Sequence, residues 1–327
     1  MKVTLHEVAA RSGVSIATVS RALNGLAVSK ANRARVEEAA RELGYVANAA
    51  ARALRAERTM TMGLIFSDLR NTLGIDLLDA LSEAIEAAGF SLLISTARGD
   101  ADRYDVLMRR FLERRVDALF CIRPRGSGAA LEAYGHAGVP VVNMFGAGGA
   151  FAGLPTLYPV FDAAARELGA HLKRLGHVRI AVVRREPRAA PLQPIGEALK
   201  AQGLVVEAVE ATEADGMRGC LAALLAQPHR ATAVIAADPN ARGLIAACEA
   251  AGIAVPGDLS VVSLSEIAAE GYHRRHAISS LTIDPTRMGR AAAAAMLAWL
   301  AGDRPDARLA VEAATFAARG TTGSAPA

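Results

Sequence analysis

The twelve residues Val14–Gly25, VSIATVSRALNG, set small and polar side chains and one arginine along what reads as a single short helix. Ser15 can cap a helix running from position 16, and 3.6-residue spacing then gathers Ile16, Ala17, Ser20, Arg21 and Asn24 on one face. Val19 and Leu23 fall opposite, where they can pack on Leu5 and Val8 of a preceding helix. One arginine, small polar groups and an outward isoleucine make a surface able to meet both charge and apolar groups. A first helix, a turn at Gly13 and this second helix have helix-turn-helix geometry, which lays the second helix in a major groove. A plain helical hairpin with a solvated face is the alternative, and an exposed Ile16 argues against it.

Three further features must hold that face in place. Thr4 and Glu7 have the spacing of a capping box at the start of the first helix. Ser29 can cap a third helix with Val36, Ala40 and Leu43 inward and Gly44 just past its end. A short helical stretch, NAAARALRA, follows at 48–56. Residues 1–60 hold ten Lys and Arg against five acids, a net +5; the whole chain carries +4, so the remaining 267 residues sum to about −1. A basic head on a near-neutral body points to a polyanionic partner for the head alone.

From about Met62 short apolar strands alternate with amphipathic helices. Strands are expected at 62–67, 90–95, 117–122, 140–145, 178–183, 204–209, 232–237 and 259–264, with intervening helices that stop at glycine (EAAGF, KAQGL, EAAGI). This alternation implies right-handed βαβ units and two parallel sheets in an α/β body. The Gly-rich 146–153 stretch and LPTLYPV after it mark the expected passage between two lobes. The last residues, TTGSAPA, read as a frayed tail.

The rest of the composition excludes more than it offers. The longest apolar runs, such as Ala291–Ala301, fall short of the roughly 18–20 residues that cross a bilayer, and the charged N-terminus lacks a signal peptide's apolar core. A cytoplasmic location with no membrane partner is therefore expected. Cys121, Cys220 and Cys248 lie far apart, as buried thiols do. His273 and His276 lack a third ligand nearby, so no metal site is expected. GAGGAFAG breaks the GxGxxG spacing at Phe151, and GxSxG, P-loop and HExxH motifs are absent. Neither a cofactor nor enzymatic catalysis is expected.

The segments TLHEVAARSGVSIATVSRALNG, VSKANRARVEEAARELGYVANAAARALR, LGHVRIAVV, AGIAVPGDLSVVSL, LTIDP and ARGTT resemble the LacI/GalR family of bacterial regulators over essentially the whole chain. The resemblance implies a DNA-binding head (1–47), a hinge helix and linker (48–61), and a two-lobed periplasmic-binding-protein-like body (62–327). The first lobe would span about 62–158 and 285–305, the second about 159–284 and the C-terminal segment. Arg21 matches the recognition-helix position used on guanine, where a bidentate arginine gives about 1–3 kcal/mol of discrimination. Ile16 and Ala17 cannot hydrogen-bond and would sense shape or thymine methyl groups. Thr4, Ser15, Thr18, Ser20 and Asn24 become candidates for phosphate contacts, which set register. Asn48, Ala51 and Leu54 match the hinge that enters the minor groove, with Leu54 as the apolar wedge. Ala47 replaces the usual proline before Asn48, which loosens that turn.

The same resemblance places an effector cleft beyond the carboxyl ends of the body's strands. Asn71, Thr72 and Leu73 lie there without the usual aromatics, Pro191 takes the place of an arginine, and Ser265 that of an aspartate. Arg123 and Arg125 follow one strand, and Arg184 and Arg185 another. Converging guanidiniums suit carboxylate or phosphate, although this chain uses 33 arginines and four lysines, so arginine also fills ordinary surface positions. Asp238 lines the cleft or caps the helix after Pro239.

The implied function is a sequence-specific DNA-binding regulator, a repressor, bound as a homodimer to a pseudo-palindromic duplex operator and responding to a small-molecule effector, with an anionic one admitted. The helix over 75–88 is a candidate dimer surface unless its apolar stripe faces the sheet. The rival readings are a ligand-blind regulator of the same family, and a small-molecule binding protein or enzyme whose N-terminal module only dimerises.

Overall fold

The computed structural model describes residues 3–23, 26–45, 58–67, 75–146, 149–184, 192–210, 216–227, 229–264 and 277–326. The chain divides into two compact units, Met1–Thr59 and Met60–Ala327.

The first unit is built on α1 (Leu5–Ser12), α2 (Ile16–Leu23) and α3 (Lys30–Glu42). Thr4 and Glu7 form the reciprocal capping box at α1, and Gly13, at φ 65°, ends that helix in the left-handed conformation a side chain would resist. Ser29 caps α3 by accepting from the Asn32 amide. Val8, Ala9, Val19, Ala22, Val36, Ala39 and Ala40 are buried together, with Leu5, Leu23 and Leu43 packed around them. An ion pair from Arg11 to Glu42 joins the ends of α1 and α3 at 2.5 Å.

In the second unit, β1 (Thr61–Phe66), β2 (Ser91–Thr96), β3 (Ala118–Ile122), β4 (Val141–Met144), β5 (Thr156–Pro159) and β11 (Arg308–Val311) form one sheet in the order β11-β5-β4-β3-β1-β2. All its pairs are parallel. A second sheet contains β6 (Arg179–Arg184), β7 (Val205–Glu210), β8 (Ala233–Ala237), β9 (Ser260–Leu264), β10 (Ser279–Ile283) and β12 (Ala314–Ala317), in the order β12-β10-β9-β8-β6-β7. The eight strands expected from the sequence lie within one residue of those positions at their starts and ends. The short strands β5, β10, β11 and β12 add to them.

Helices cover both faces of each sheet. In the first lobe, Leu64, Phe66, Phe120 and Ile122 pack with Leu77, Leu81 and Ile85 of α4 (Ile75–Ala87). Ile65, Leu119 and Cys121 turn the other way, toward Tyr104, Met108 and Phe111 of α5 (Ala101–Glu113) and Tyr134 of α6 (Leu131–His136). Successive strand residues thus serve opposite faces. The second lobe repeats the plan. One face packs α7 (Asp162–Arg174) and α8 (Leu192–Lys200), and the other packs α9 (Gly216–Leu225) and α10 (Asp238–Ala250).

Helix α11 (Pro285–Leu300) lies against α4, where Gly289 permits a backbone approach; a Cβ there would sit 2.5 Å from the Leu77 carbonyl oxygen. The apolar stripe of α4 therefore faces the sheet and α11 and is not the dimer surface, because Leu77, Ala80, Leu81 and Ile85 are buried within the one chain.

Four expectations need correction. The second sheet is mixed, because the chain leaves β11 and enters at the carboxyl end of β10, pairing Ala314 with Ile283 and running back antiparallel. The first lobe's returning segment extends past 305, since β11 pairs with β5. The passage between lobes follows β5 at Val160 and Phe161, at the end of the expected LPTLYPV segment and not in the Gly-rich stretch, whose Phe151 is buried in the first lobe. The tail is not frayed. Thr321 is buried, its carbonyl accepts from the Val261 amide at 2.8 Å, and the Ala325 amide donates to Leu175 O at 2.7 Å. Among the described residues no helix is long and apolar enough to cross a membrane.

Candidate nucleic-acid interface

The sharpest chemistry sits on α2. Val19 and Ala22 point into the core, at 0% and 3% exposure, and this fixes the opposite face outward. Ile16, at 40% exposure, Ala17 and Arg21 are the exposed residues, with Thr18 and Ser20 half-buried beside them. The outward face predicted from the spacing is therefore present, and it brings together the three residues that the family resemblance assigns to base reading. Ser20 has a partner of its own, while Asn24 lies outside the described residues.

The amino ends of the helices differ in what they can accept. At α1 the Glu7 carboxylate fills that role: Glu7 Oε2 accepts from the Thr4 amide at 2.7 Å and from the Thr4 hydroxyl at 2.8 Å. Those bonds, the backbone one first, hold the Glu7 carboxyl below its ordinary pKa. The single hydroxyl proton of Thr4 is thus committed, and a carboxylate stands beside it. Thr4 is therefore the helix cap that its spacing with Glu7 predicts, with its hydroxyl proton engaged by that carboxylate.

At α2 the geometry is open to an anion. Ser15 Oγ accepts from the Thr18 amide at 3.1 Å and lies 2.9 Å from Thr18 Oγ1. One hydroxyl proton bridges the pair, leaving the other to reach an outside acceptor. The first turns of α2 and α3 contain no acidic residue, so their unsatisfied amides and positive dipole ends carry no local repulsion toward phosphate.

Arg33 is a residue the sequence reading missed. From α3 its Nη1 donates to Ala22 O at 3.2 Å and its Nη2 to Leu26 O at 2.9 Å, closing the far end of α2. Both acceptors are main-chain carbonyls, which carry no residue-type signal, so no motif could have announced the contact.

The effector candidates are partly placed. The hinge residues Asn48, Ala51 and Leu54, and the cleft residues Asn71, Thr72, Leu73, Arg185 and Ser265, lie outside the described residues, as do Pro191, His273 and His276. Arg123 directly follows β3, is half-buried with a φ of 48°, and has an interaction partner. Arg125 is exposed. Arg184 ends β6, with Glu210 at the paired register position on β7. Asp238 opens α10 with Ala237 as the N-cap residue, so it is not that cap. Arg123 and Arg184 thus close strands of different sheets at carboxyl ends, the edge where α/β sheets place ligands.

Other groups are structural. Cys121, Cys220 and Cys248 are buried thiols, and burial pushes Cys121 up to about 12. Among the described residues no group of three or more His, Cys, Asp or Glu side chains could hold a metal ion.

Comparison with known proteins follows the same division. Residues 4–48 match the family model for bacterial regulatory proteins of the lacI family, and residues 170–322 match a periplasmic binding protein-like domain. Catabolite control protein A of Staphylococcus xylosus is 29% identical over 276 residues, covering 81% of this chain and 83% of that protein. The HTH-type transcriptional regulator GntR of Pseudomonas aeruginosa is 29% identical over 310 residues, covering 91% and 90%. The fold is that of a lac repressor dimer solved on operator with the anti-inducer ONPF. That structure has a TM-score of 0.76 and 23% identity, and the match covers 99% of this chain and 100% of that one.

Proposed function

The chain belongs to the lacI family of bacterial regulatory proteins, and from that premise we propose that it is a cytoplasmic repressor that binds a pseudo-palindromic operator as a homodimer. The observation that carries this is the α2 face: Ile16, Ala17 and Arg21 stand outward because Val19 and Ala22 are locked into the core. In a dimer the two copies of α2 would enter successive major grooves, which is why the operator should have two half-sites. Arg21 reads a guanine in each half-site, Ile16 and Ala17 sense thymine methyl groups or shape, and Ser15, Thr18, Ser20 and Asn24 contact phosphates. Asn48, Ala51 and Leu54 form the minor-groove hinge, with Leu54 unstacking one base step.

The body acts as receptor rather than catalyst, in line with relatives that are transcriptional regulators. A small molecule bound at the strand carboxyl ends alters lobe closure and so the order of the hinge. Such coupling typically amounts to about 1–3 kcal/mol. Arg123, Arg184 and Arg185 favour an anionic effector. Titration of the protein with carboxylate and phosphate metabolites tests this. A rise in Tm with an acid but not with neutral sugars supports the charge assignment, and the reverse pattern removes it.

The central test is Arg21→Ala in a mobility-shift series. Discrimination at one base pair per half-site should fall by about 1–3 kcal/mol while other positions keep their preference. Uniform weakening across all sequences would show that Arg21 contacts only the backbone. The rival reading, a binding protein or enzyme whose head only dimerises, requires no DNA affinity, so binding with the steep log–log salt slope of phosphate neutralisation removes it.

A further inference from the structure

Arg33 occupies the fourth position of α3, yet its guanidinium belongs to the geometry of α2. Nη1 donates to Ala22 O at 3.2 Å and Nη2 to Leu26 O at 2.9 Å. Within the same turn the Leu26 amide donates to Arg21 O at 2.9 Å. The last carbonyls of a helix lack intrahelical partners, and a cation at that end also complements the helix dipole. The carbonyl of Arg21, the proposed base reader, is thus part of the turn that Arg33 closes.

We infer that Arg33 is a positioning residue for base reading. Its planar fork spans two main-chain carbonyls, fixing the last turn of α2 so that the Arg21 side chain leaves the helix in one direction. Arginine suits this task because its donors have a fixed spacing; lysine offers a point charge that can satisfy one carbonyl without holding both in a plane. A phosphate contact is the ordinary role for an arginine in a basic head. Here both terminal nitrogens face protein carbonyls instead. This inference rests on the reading of α2 as the groove-bound helix.

The test uses full-length protein, a duplex selected by the wild type from a randomised pool, and a scrambled duplex, across a salt series. Arg33→Ala should lower the ratio of selected to scrambled affinity on the order of tenfold. It should leave the log–log salt slope unchanged and speed hydrogen exchange at the Leu26 amide. Arg33→Lys keeps the charge and should regain only part of that ratio.

A slope reduced by ~0.9 per Arg33 with the ratio intact, and full rescue by lysine, would make Arg33 a phosphate contact and overturn the inference. An unchanged ratio together with unchanged Leu26 exchange would also overturn it. Should Arg33→Ala lose protection throughout α1 and α3, Arg33→Lys decides by the same readouts. Failure of the underlying reading is separate, because it appears in the wild type, as a pool that yields no selected duplex.

Discussion

The head and the body solve opposite problems with similar means. Among the described residues the head buries seven apolar, mostly small side chains from three short helices and turns its chemistry outward, onto an exposed helix face. The body buries four larger clusters on both faces of two sheets. It leaves its candidate chemistry at the ends of strands, as with Arg123 after β3 and Arg184 closing β6. A site on a helix face is held by the core directly beneath it, whereas a site at strand ends is assembled from segments far apart in sequence. The difference teaches that the head should be sensitive to single core substitutions, and the body to changes in register and crossing.

The largest expected effect tests whether the two units are independent. Val19→Asp places a carboxylate in the head's small core, where desolvation costs several kcal/mol, and operator binding should be lost outright. Calorimetry should still show the body's transition at its wild-type Tm. A body that melts early would break the division.

Next comes the reverse experiment. Phe120→Ala empties a fully buried site in the first lobe, and should cost the body about 3–5 kcal/mol in denaturant titration. The salt slope of DNA binding in native conditions should stay where it was, since the phosphate contacts proposed above are in the head.

A smaller effect separates the two units by pH. His177 is buried, with Nδ1 2.8 Å from Thr232 Oγ1 and Nε2 3.0 Å from Gly323 O, which ties the C-terminal segment to the second lobe. Burial lowers its pKa, against a smaller raising effect from the Gly323 carbonyl. Nearby, His171 is lowered by burial, then by Arg174 and His177. A lowered histidine keeps its full contribution above the unfolded pKa, near 6.5. That contribution falls as pH drops toward the folded value, because the unfolded chain takes up the proton first. The body's stability should therefore decline below pH ~6.5, by at most about 1.4 kcal/mol per pH unit for each such group. His177→Gln should flatten the decline in a Tm-versus-pH series. In the head the Glu7 box, also lowered, holds through that range and weakens only below the ordinary glutamate pKa, so the two units should respond in different windows.

The smallest effect sharpens the head alone. Ser29→Ala removes the cap of α3 and should cost about 1 kcal/mol, read as faster amide exchange at Asn32 with the body unaffected.

Local patterns carried the head and much of the body. Periodicity fixed which face of α2 is outward, caps and glycines marked helix ends, and apolar runs located eight strands. These features depend on neighbours within a turn or on alternate residues, so a linear reading contains them. Tertiary structure alone decided the rest. It committed the Thr4 hydroxyl to Glu7, bound Arg33 to one carbonyl of α2 and one just beyond it, reversed β12, and buried the tail against β9. In most of these the partner is main chain, or is reached only after the chain has crossed between sheets. Backbone donors and acceptors are the same in every residue, and nothing in the order of side chains says which of them will meet.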